Sequence, residues 1–393
     1  MNSSPNTDHS TRKPLSIEKI ERHKRCITII WQDGRQSEFH HLWLRDNCTC
    51  PQCGDRSGGH RYLELGNIDP EITPDEVRLS ATGSLQIHWK GDGHITTYSP
   101  AWLRENCYSC EAIAERRGQS KLWYSALNGH IPEWNYNEVV ADESIRLQMF
   151  QRIDDYGFVI LNAVPTHQDE IERLAAVFGF IRQTHYGRVF DLISTLQQRI
   201  LAQTSHAIRP HNDELFRNPI PGLFMMHCLQ ASECGGGASI LVDGFNAAHK
   251  LRTHNKNLFD LLCEVPIPHR RFLLDDVDDV ALAANWRTIE LNRHGDIEAV
   301  HINERTMAPL DTTAELIEPV YRALREMLSL VYDAKAFVQY RLEPGQAVVM
   351  DNHRVLHART TFNGNRHIRQ CHVDRDEFFS RLRALRRRRD NEV

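Results

Sequence analysis

The sequence lacks any run of apolar residues approaching the roughly 20 that a membrane-spanning helix needs. It also lacks a strong charge of one sign, because 47 Lys and Arg face 52 Asp and Glu and leave a net charge of −5. This balance excludes an overall field that would attract nucleic acid or an anionic membrane. The first residues lack the apolar segment of a secretory signal and include Asp8, so we expect a cytoplasmic protein.

The length of the chain favours more than one domain, because 393 residues exceed the usual size of a single compact domain. A hydrophobic content of 41% and a charged content of 25% are typical of a globular protein. Residues 1–18 are polar and contain two prolines, which predicts a disordered arm. The pattern after them predicts a small β-rich domain over 20–118 and a large α+β domain over 135–393.

Two stretches of the first domain resemble each other. WQDGRQSEFHHLWLRDNC runs from Trp31 to Cys48, and WKGDGHITTYSPAWLRENC runs from Trp89 to Cys107. Each stretch begins with a turn and ends in Trp-Leu-Arg, an acidic residue, Asn and Cys. The repeat predicts two related halves, each a β-hairpin followed by a corner.

Six of the 10 cysteines lie in the first 110 residues, and Cys48, Cys50 and Cys53 lie within six positions. Clustered cysteines in a chain without a secretory signal point to metal or redox chemistry rather than to disulfides. Three thiols on one tight turn can bind a tetrahedral zinc ion. We therefore predict a zinc site in the first domain.

A tetrahedral zinc site needs a fourth ligand, for which several candidates are close in sequence. The nearby histidines are His40, His41, His60 and His94. We select His94, because it lies in the hairpin turn of the second repeat and can fold back across the domain. Cys107 and Cys110 form a competing Cys-x-x-Cys pair.

The motif His-x-Asp supplies two of the three ligands that a non-haem Fe(II) oxygenase needs, and a distal His supplies the third. It occurs four times, as His167/Asp169, His211/Asp213, His294/Asp296 and His372/Asp374. The first pair begins a predicted helix, the third lies on a hairpin turn too close to the distal His, and no His follows the last. Elimination favours His211 and Asp213, with His357 as the distal ligand.

Two arginines, Arg366 and Arg369, follow the distal His. Either could form a bidentate pair with the distal carboxylate of 2-oxoglutarate, and Ser239 could add a hydroxyl to the same carboxylate. The residues alone do not decide between the two arginines.

Several segments together resemble the γ-butyrobetaine and trimethyllysine hydroxylases, among them LWLRDNCTCPQC, PHNDE, GGGASILVDGF and DNHRVLHARTTFNGNRHIRQCHVDRDEF. These enzymes are Fe(II)- and 2-oxoglutarate-dependent dioxygenases with an N-terminal zinc domain, and the likeness covers residues 26–388. It implies a double-stranded β-helix, or jelly-roll, catalytic domain and a homodimer. The implied ligands are Cys48, Cys50, Cys53 and His94 for zinc, His211, Asp213 and His357 for iron, and Arg366 for 2-oxoglutarate.

The substrate pocket implied by the resemblance departs from the family. γ-Butyrobetaine hydroxylases enclose a trimethylammonium group in an aromatic cage, which uses cation–π attraction. Tyr186 and Phe190 keep two of the cage positions aromatic, whereas Gln203 and His372 stand where tyrosine is expected. The departure weakens the expectation of a quaternary ammonium substrate.

We therefore expect a hydroxylase that uses O₂ and 2-oxoglutarate on a small zwitterionic, betaine-like substrate and releases succinate and CO₂. The incomplete cage favours a non-quaternary amino acid or acid as the alternative substrate, and Arg209 and His206 add anion-binding groups. A non-catalytic zinc and β-helix binding protein is a further alternative, against which the intact iron-type residues argue. The Arg-rich C-terminal run is interpreted as a solvated helix end rather than a nucleic-acid site.

Overall fold

The computed structural model describes residues 15–55, 59–118, 120–193, 205–233, 236–273 and 280–392. The chain forms two compact units, Met1–Gly118 and Gln119–Val393. Among the helices in these ranges, none is both long enough and apolar enough to cross a bilayer.

The first unit contains two three-stranded antiparallel sheets, ordered β1-β2-β3 and β6-β7-β8. Its elements are β1 (Ile17–Arg22), β2 (Cys26–Trp31), β3 (Gln36–His40), α1 (His41–Asp46), β4 (Gly54–Asp55), β5 (His60–Arg61), β6 (Pro74–Leu79), β7 (Leu85–Trp89), β8 (Ile95–Tyr98), α2 (Pro100–Glu105) and α3 (Cys110–Arg116). Strand β1 begins inside the predicted arm, because Ile17 is buried and pairs with Trp31.

The sequence repeat corresponds to a repeat of structure. Each three-stranded sheet is followed at once by a short helix, α1 or α2. The indole of Trp31 donates to Ser37 Oγ at 2.9 Å, and the indole of Trp89 donates to Thr96 Oγ1 at 2.9 Å. Equivalent buried tryptophans thus find equivalent hydroxyl partners in the two halves, as buried indole N–H groups require.

The second unit combines helices with two larger sheets. Its helices are α4 (Tyr136–Ala141), α5 (Glu143–Tyr156), α6 (Glu170–Phe178), α7 (Gly244–His254), α8 (Lys256–Glu264), α9 (Ala314–Val331) and α10 (Arg375–Glu392). Its strands are β9 (Glu133–Asn135), β10 (Phe158–Asn162), β11 (Val189–Ile193), β12 (Ile208–His211), β13 (Leu223–Gln230), β14 (Ser239–Asp243), β15 (Pro266–Leu273), β16 (Val280–Arg287), β17 (Ile289–Leu291), β18 (Ile297–Val300), β19 (Val338–Tyr340), β20 (Ala347–Asp351), β21 (Val355–Arg359) and β22 (His367–Val373).

The larger sheet is ordered β11-β22-β13-β20-β10-β9 and the smaller one β12-β21-β14-β19. Eight of these strands, β11–β14 and β19–β22, pair in the orders 1-8-3-6 and 2-7-4-5 when they are counted along the chain. This is the strand order expected of an eight-stranded jelly roll. The predicted α+β class with a small β-rich N-terminal unit is confirmed.

Three apolar clusters stabilise the second unit. One packs helices α5, α6 and α10 on the larger sheet, and another packs α7, α8 and α9 on the smaller sheet. A third contains side chains of both sheets, including Phe224, Leu241 and Val355. Each sheet thus buries both of its faces, which holds the strands that carry the candidate site in a fixed arrangement.

The second unit begins before the predicted residue 135. Trp123 is 3% exposed and packs in the cluster shared by the two sheets, and its backbone N–H donates to Asp243 Oδ2 at 3.0 Å. Strand β9 also begins earlier, at Glu133, and pairs in parallel with β10. The connecting stretch is therefore part of the second unit's core.

Candidate active site and zinc centre

Strands β12 and β21 bring two imidazoles together. They are antiparallel neighbours whose register sets His211 directly opposite His357, and the ring centroids lie 4.3 Å apart. The carboxylate oxygens of Asp213 lie 3.2 Å from His211 Nε2 and 3.8 Å from His357 Nε2. The three predicted iron ligands therefore converge on one point.

This cluster fits a divalent metal ion. One ligand atom from each of the three side chains lies within 4.8 Å of the others. Nδ1 of His211 donates to the Arg209 carbonyl oxygen at 2.8 Å, which leaves the unprotonated Nε2 for a metal. Two histidines and one carboxylate are the donor set of non-haem Fe(II) oxygenases, which leave metal positions open for cosubstrate and O₂.

The electrostatics of the cluster also suit a metal. Burial alone would raise the pKa of Asp213, but the neighbouring imidazoles of His357 and His211 favour its ionised form and hold that pKa well below its usual range. Burial lowers the pKa of His357 to about 3. An ionised carboxylate and a neutral imidazole are the forms that bind metal.

Two buried asparagines fix the turn that carries Asp213. Asn352 Oδ1 accepts from the Asp213 N–H at 2.8 Å, and Asn352 Nδ2 donates to the Asp213 carbonyl at 3.0 Å. Asn212 Nδ2 donates to the Asn352 carbonyl at 2.7 Å, and Asn212 Oδ1 accepts from the Ile302 N–H at 2.9 Å. The backbone of Asp213 is thus held from both sides.

The other His-x-Asp pairs do not form such clusters in the part of the chain that the structure describes. His167 and His294 are exposed. His372 is buried but lies outside the cluster of ligand atoms. The geometry therefore singles out the same pair as the elimination from sequence.

The cluster opens into a cavity of about 240 Å³, which Ser239 and Arg366 also line. Arg366 is 8% exposed, and burial lowers the pKa of its guanidinium. Within the described ranges no carboxylate pairs with it. A buried guanidinium of this kind fits the carboxylate of a cosubstrate. Arg369 lies elsewhere, with its Nε 3.1 Å from Asp191 Oδ1.

Three of the predicted substrate residues line the same cavity. They are Tyr186, Phe190 and His372. The rings of Tyr186 and Phe190 lie 5.2 Å apart, and His372 stacks on Phe224 with centroids 5.0 Å apart. Gln203, the fourth cage position, lies outside the described residues.

Arg209 does not line the cavity, contrary to the prediction. It is exposed, and its guanidinium carbon lies 4.8 Å from the ring centroid of Tyr332. The register of β12 is irregular between Ile208 and His211, so simple alternation does not place Arg209; Ile208 and His211 both line the cavity, and Arg209 is left outside it. His206 is exposed as well, and its carbonyl accepts from Arg359 Nη2 at 2.9 Å.

The first unit holds the cluster predicted to bind zinc. The Sγ atoms of Cys48, Cys50 and Cys53 lie 3.2, 3.5 and 3.5 Å from Nε2 of His94. Neighbouring sulfur and nitrogen ligands of a tetrahedral zinc ion are separated by roughly 3.5 Å, given the usual bond lengths. The donor set and its spacing therefore fit structural zinc.

Arg45 connects this cluster to the hairpin turn that carries the histidine. Its Nη1 donates to Cys53 Sγ at 3.5 Å, and its Nε donates to Asp92 Oδ2 at 2.8 Å. The backbone N–H of His94 in turn donates to Asp92 Oδ1 at 2.9 Å. The alternative pair differs from this arrangement, because Cys107 is buried in the apolar core and Cys110 is exposed.

Two family models match the chain. The model of the taurine catabolism dioxygenase TauD, TfdA family, matches residues 125–372, and the gamma-butyrobetaine hydroxylase-like N-terminal model matches residues 18–98. The chain belongs to the TauD/TfdA dioxygenase family. The predicted dioxygenase class, with iron and 2-oxoglutarate as cofactors and an N-terminal unit of the zinc type, is thereby confirmed.

Curated relatives of this TauD/TfdA member match it over most of their length. The gamma-butyrobetaine dioxygenase of Pseudomonas sp. (strain AK-1) is 33% identical over 92% of this chain and 94% of its own. The trimethyllysine dioxygenase of Meyerozyma guilliermondii is 28% identical over 95% and 97%. The human gamma-butyrobetaine dioxygenase is 26% identical over 93% and 95%.

Sequence reasoning missed four charged residues that line the cavity of this TauD/TfdA member: Glu214, Arg271, Arg305 and Arg359. Two of them carry a local signal. Glu214 directly follows Asp213, and Arg359 stands two residues after His357, on the same face of β21. Arg271 and Arg305 are distant in sequence from the ligand motifs, so only the tertiary structure reveals them.

Proposed function

We propose that this chain hydroxylates a C–H bond of a small zwitterionic, betaine-like substrate. In the overall reaction, O₂ and 2-oxoglutarate are consumed, one oxygen atom enters the substrate as hydroxyl, and succinate and CO₂ are released. The observation that carries the proposal is the convergence of His211, Asp213 and His357 beside a cavity that also contains the buried Arg366.

The side chains have distinct roles in this proposal. His211, Asp213 and His357 would hold Fe(II), which supplies the oxidising chemistry when it is bound together with O₂. Arg366 anchors the distal carboxylate of 2-oxoglutarate through charge-assisted hydrogen bonds, and Ser239 adds a hydroxyl. The protein's task is to place one substrate C–H bond near the metal and to exclude water.

Both charge signs are available to a zwitterionic substrate in the cavity. The rings of Tyr186 and Phe190 can attract a cationic group, and Arg271 and Arg305 can attract a carboxylate. The names of the relatives, gamma-butyrobetaine dioxygenase and trimethyllysine dioxygenase, agree with a substrate that carries both charges.

The same chemistry on a non-quaternary amino acid or acid is the second candidate. It is favoured by His372, which lines the cavity at a predicted cage position and offers an imidazole where the resemblance expects a phenol ring. The intact metal-type cluster argues against the non-catalytic alternative.

A substrate panel tests the proposal through succinate release with Fe(II) and 2-oxoglutarate. It contains γ-butyrobetaine, trimethyllysine, trimethylaminoethylphosphonate and non-quaternary amino acids, and at least one of them should stimulate succinate formation. His211→Ala should abolish the stimulated rate, whereas the control His167→Ala, at an exposed His-x-Asp pair, should retain it. Stimulated succinate formation by His211→Ala would refute the proposed site.

We also propose a homodimer and a cytoplasmic location, both of which rest on the sequence alone.

A further inference from the structure

Glu214 is a buried carboxylate that lines the cavity beside the metal-type cluster. It is 6% exposed. Its Oε2 accepts from Arg217 Nε at 2.5 Å, whereas its Oε1 has no hydrogen-bond partner among the described residues. A buried acceptor left unpaired is destabilising. A molecule bound in the cavity can donate the missing hydrogen bond to this oxygen.

The backbone at Glu214 is also unusual. Its φ is 57°, in the left-handed region that residues with side chains seldom adopt. Such conformations are strained and persist where the surrounding structure enforces them. Here Asn352 and Asn212 fix the preceding turn, as described above.

Arg217, which donates a hydrogen bond to Glu214, also connects this carboxylate with the aromatic side chains of the cavity. Arg217 Nη2 hydrogen-bonds to Nδ1 of His185, and the ring centroid of His185 lies 3.8 Å from that of Tyr186. Tyr186 in turn lies beside Phe190. One continuous set of contacts therefore connects the carboxylate with the two rings that can attract a cation.

A protonated amine satisfies this set of groups best. Its positive charge suits the ring faces and the carboxylate, and its N–H can donate to Oε1. A quaternary ammonium has the charge but no N–H, so it would leave Oε1 buried and unpaired. A site that contains an unpaired polar atom discriminates strongly against a ligand that cannot pair it.

We infer that Glu214 is a specificity-determining residue that accepts a hydrogen bond from an N–H of the substrate's ammonium group. The preferred substrate is then an amino-acid zwitterion whose nitrogen keeps at least one hydrogen, rather than a quaternary betaine. This inference rests on the proposed function, because it assumes that the substrate occupies this cavity, and within that function it selects the second candidate, a non-quaternary amino acid.

The test is a methylation series measured by binding rather than by turnover. Holoenzyme with Fe(II) and 2-oxoglutarate is titrated without O₂ in a calorimeter, with aminoalkanoates of three to six carbons and with lysine. Each carbon skeleton is supplied with its terminal nitrogen as the amine, the monomethylamine, the dimethylamine and the trimethylammonium. These forms carry three, two, one and no N–H when the amine is protonated.

For the skeleton that binds best, we expect affinity to fall at least about tenfold at the last step, where the remaining N–H is lost. In Glu214→Leu the same step should disappear, because the acceptor is gone. The amine form should bind about 10- to 100-fold more weakly to this variant than to the wild type. Glu326→Gln, an exposed change on α9, should bind every member as the wild type does.

Several results would overturn the inference. The inference fails if the wild type binds the trimethylammonium form as tightly as the dimethylamine, or if Glu214→Leu still loses affinity between these two forms. It also fails if no member of the panel binds. Loss of Fe(II) from Glu214→Gln in metal analysis would also overturn it, because Glu214 would then act on the metal. Failure of the proposed function would be recognised separately, because the wild type would then not bind 2-oxoglutarate.

Discussion

At the residue scale, the structure places the two arginines on opposite sides of the larger sheet, in agreement with the Arg366 that the family resemblance implies. Ile368, which packs between the sheets, and His372, which lines the cavity, both stand at even positions along β22. Arg366 has the same parity and reaches the cavity. Arg369 has the opposite parity and hydrogen-bonds to the Gln168 carbonyl on the other side of the sheet. Alternation along β22 accounts for the position of Arg369, whereas Arg366 directly precedes the strand and is placed by the segment that enters it.

Replacement of the two arginines should therefore have unequal effects. Arg366→Ala should raise the KM for 2-oxoglutarate about 10- to 100-fold, because a charge-assisted hydrogen bond to the cosubstrate is lost. The matched change Arg369→Ala should leave this KM near the wild-type value. Initial rates of succinate formation at varied 2-oxoglutarate provide the measurement. A larger effect at Arg369 would reverse the assignment.

At the scale of elements, the metal-type cluster depends on the pairing of β12 with β21. The register opposes His211 and His357, but Asp213 lies beyond the end of β12 and is not positioned by the ladder. The side chain of Asn352 performs that task, because it accepts from and donates to the backbone of Asp213. Asn352 directly follows β20, a strand of the larger sheet. A residue at the end of that sheet therefore positions Asp213 beside the two histidines of the smaller sheet.

Asn352→Ala should therefore weaken metal binding without removing a ligand. We expect Fe(II) affinity to fall about 10- to 100-fold, which is the usual effect of losing a group that orients a ligand. Titration of the apo-protein with Fe(II) without O₂ measures this directly. The control Asn137→Ala changes an exposed residue of α4 and should bind Fe(II) normally. Equal affinities of the two variants would show that Asp213 needs no such support.

At the scale of the whole molecule, two units carry two metal-type clusters of different kinds. Cys48, Cys50, Cys53 and His94 offer four protein ligands to one ion, as in closed structural zinc sites. The cluster of the second unit offers three ligands and adjoins a cavity, as in sites that leave positions open for chemistry. The count of protein ligands thus separates a stabilising site from a reactive one.

Removing one thiol should consequently affect stability and zinc content before it affects iron binding. Cys50→Ser should lose the bound zinc and lower the melting temperature of the first unit, because structural zinc contributes folding free energy. Cys110→Ser, at an exposed cysteine outside the cluster, should keep one zinc per chain. Elemental analysis and calorimetric melting are the measurements. Zinc loss from Cys110→Ser but not from Cys50→Ser would favour the competing pair.

Much of the candidate site could be predicted from sequence, and the limit lies in long-range geometry. The zinc thiols and the His211/Asp213 pair are local, because ligands a few residues apart on one turn or strand end lie close together in any fold. Chain order predicts His357 as the distal ligand, whereas its pairing opposite His211 is set by the sheet. The error at Arg209 has the same origin, since nearness in sequence to a ligand does not say which face of the strand a side chain occupies.

Sequence by itself determined the class of this protein: two units, a Cys₃His cluster, a facial set of metal ligands and membership of a dioxygenase family. Only the tertiary structure decided that Arg209 lies outside the cavity, that Arg271 and Arg305 line it, and which buried oxygen lacks a partner. The physical reason is that metal ligands occur in short motifs whose members are close in any fold. Whether an acceptor such as Glu214 Oε1 is unpaired depends instead on contacts with residues that are distant in sequence. Recognition of the substrate depends on that second kind of information.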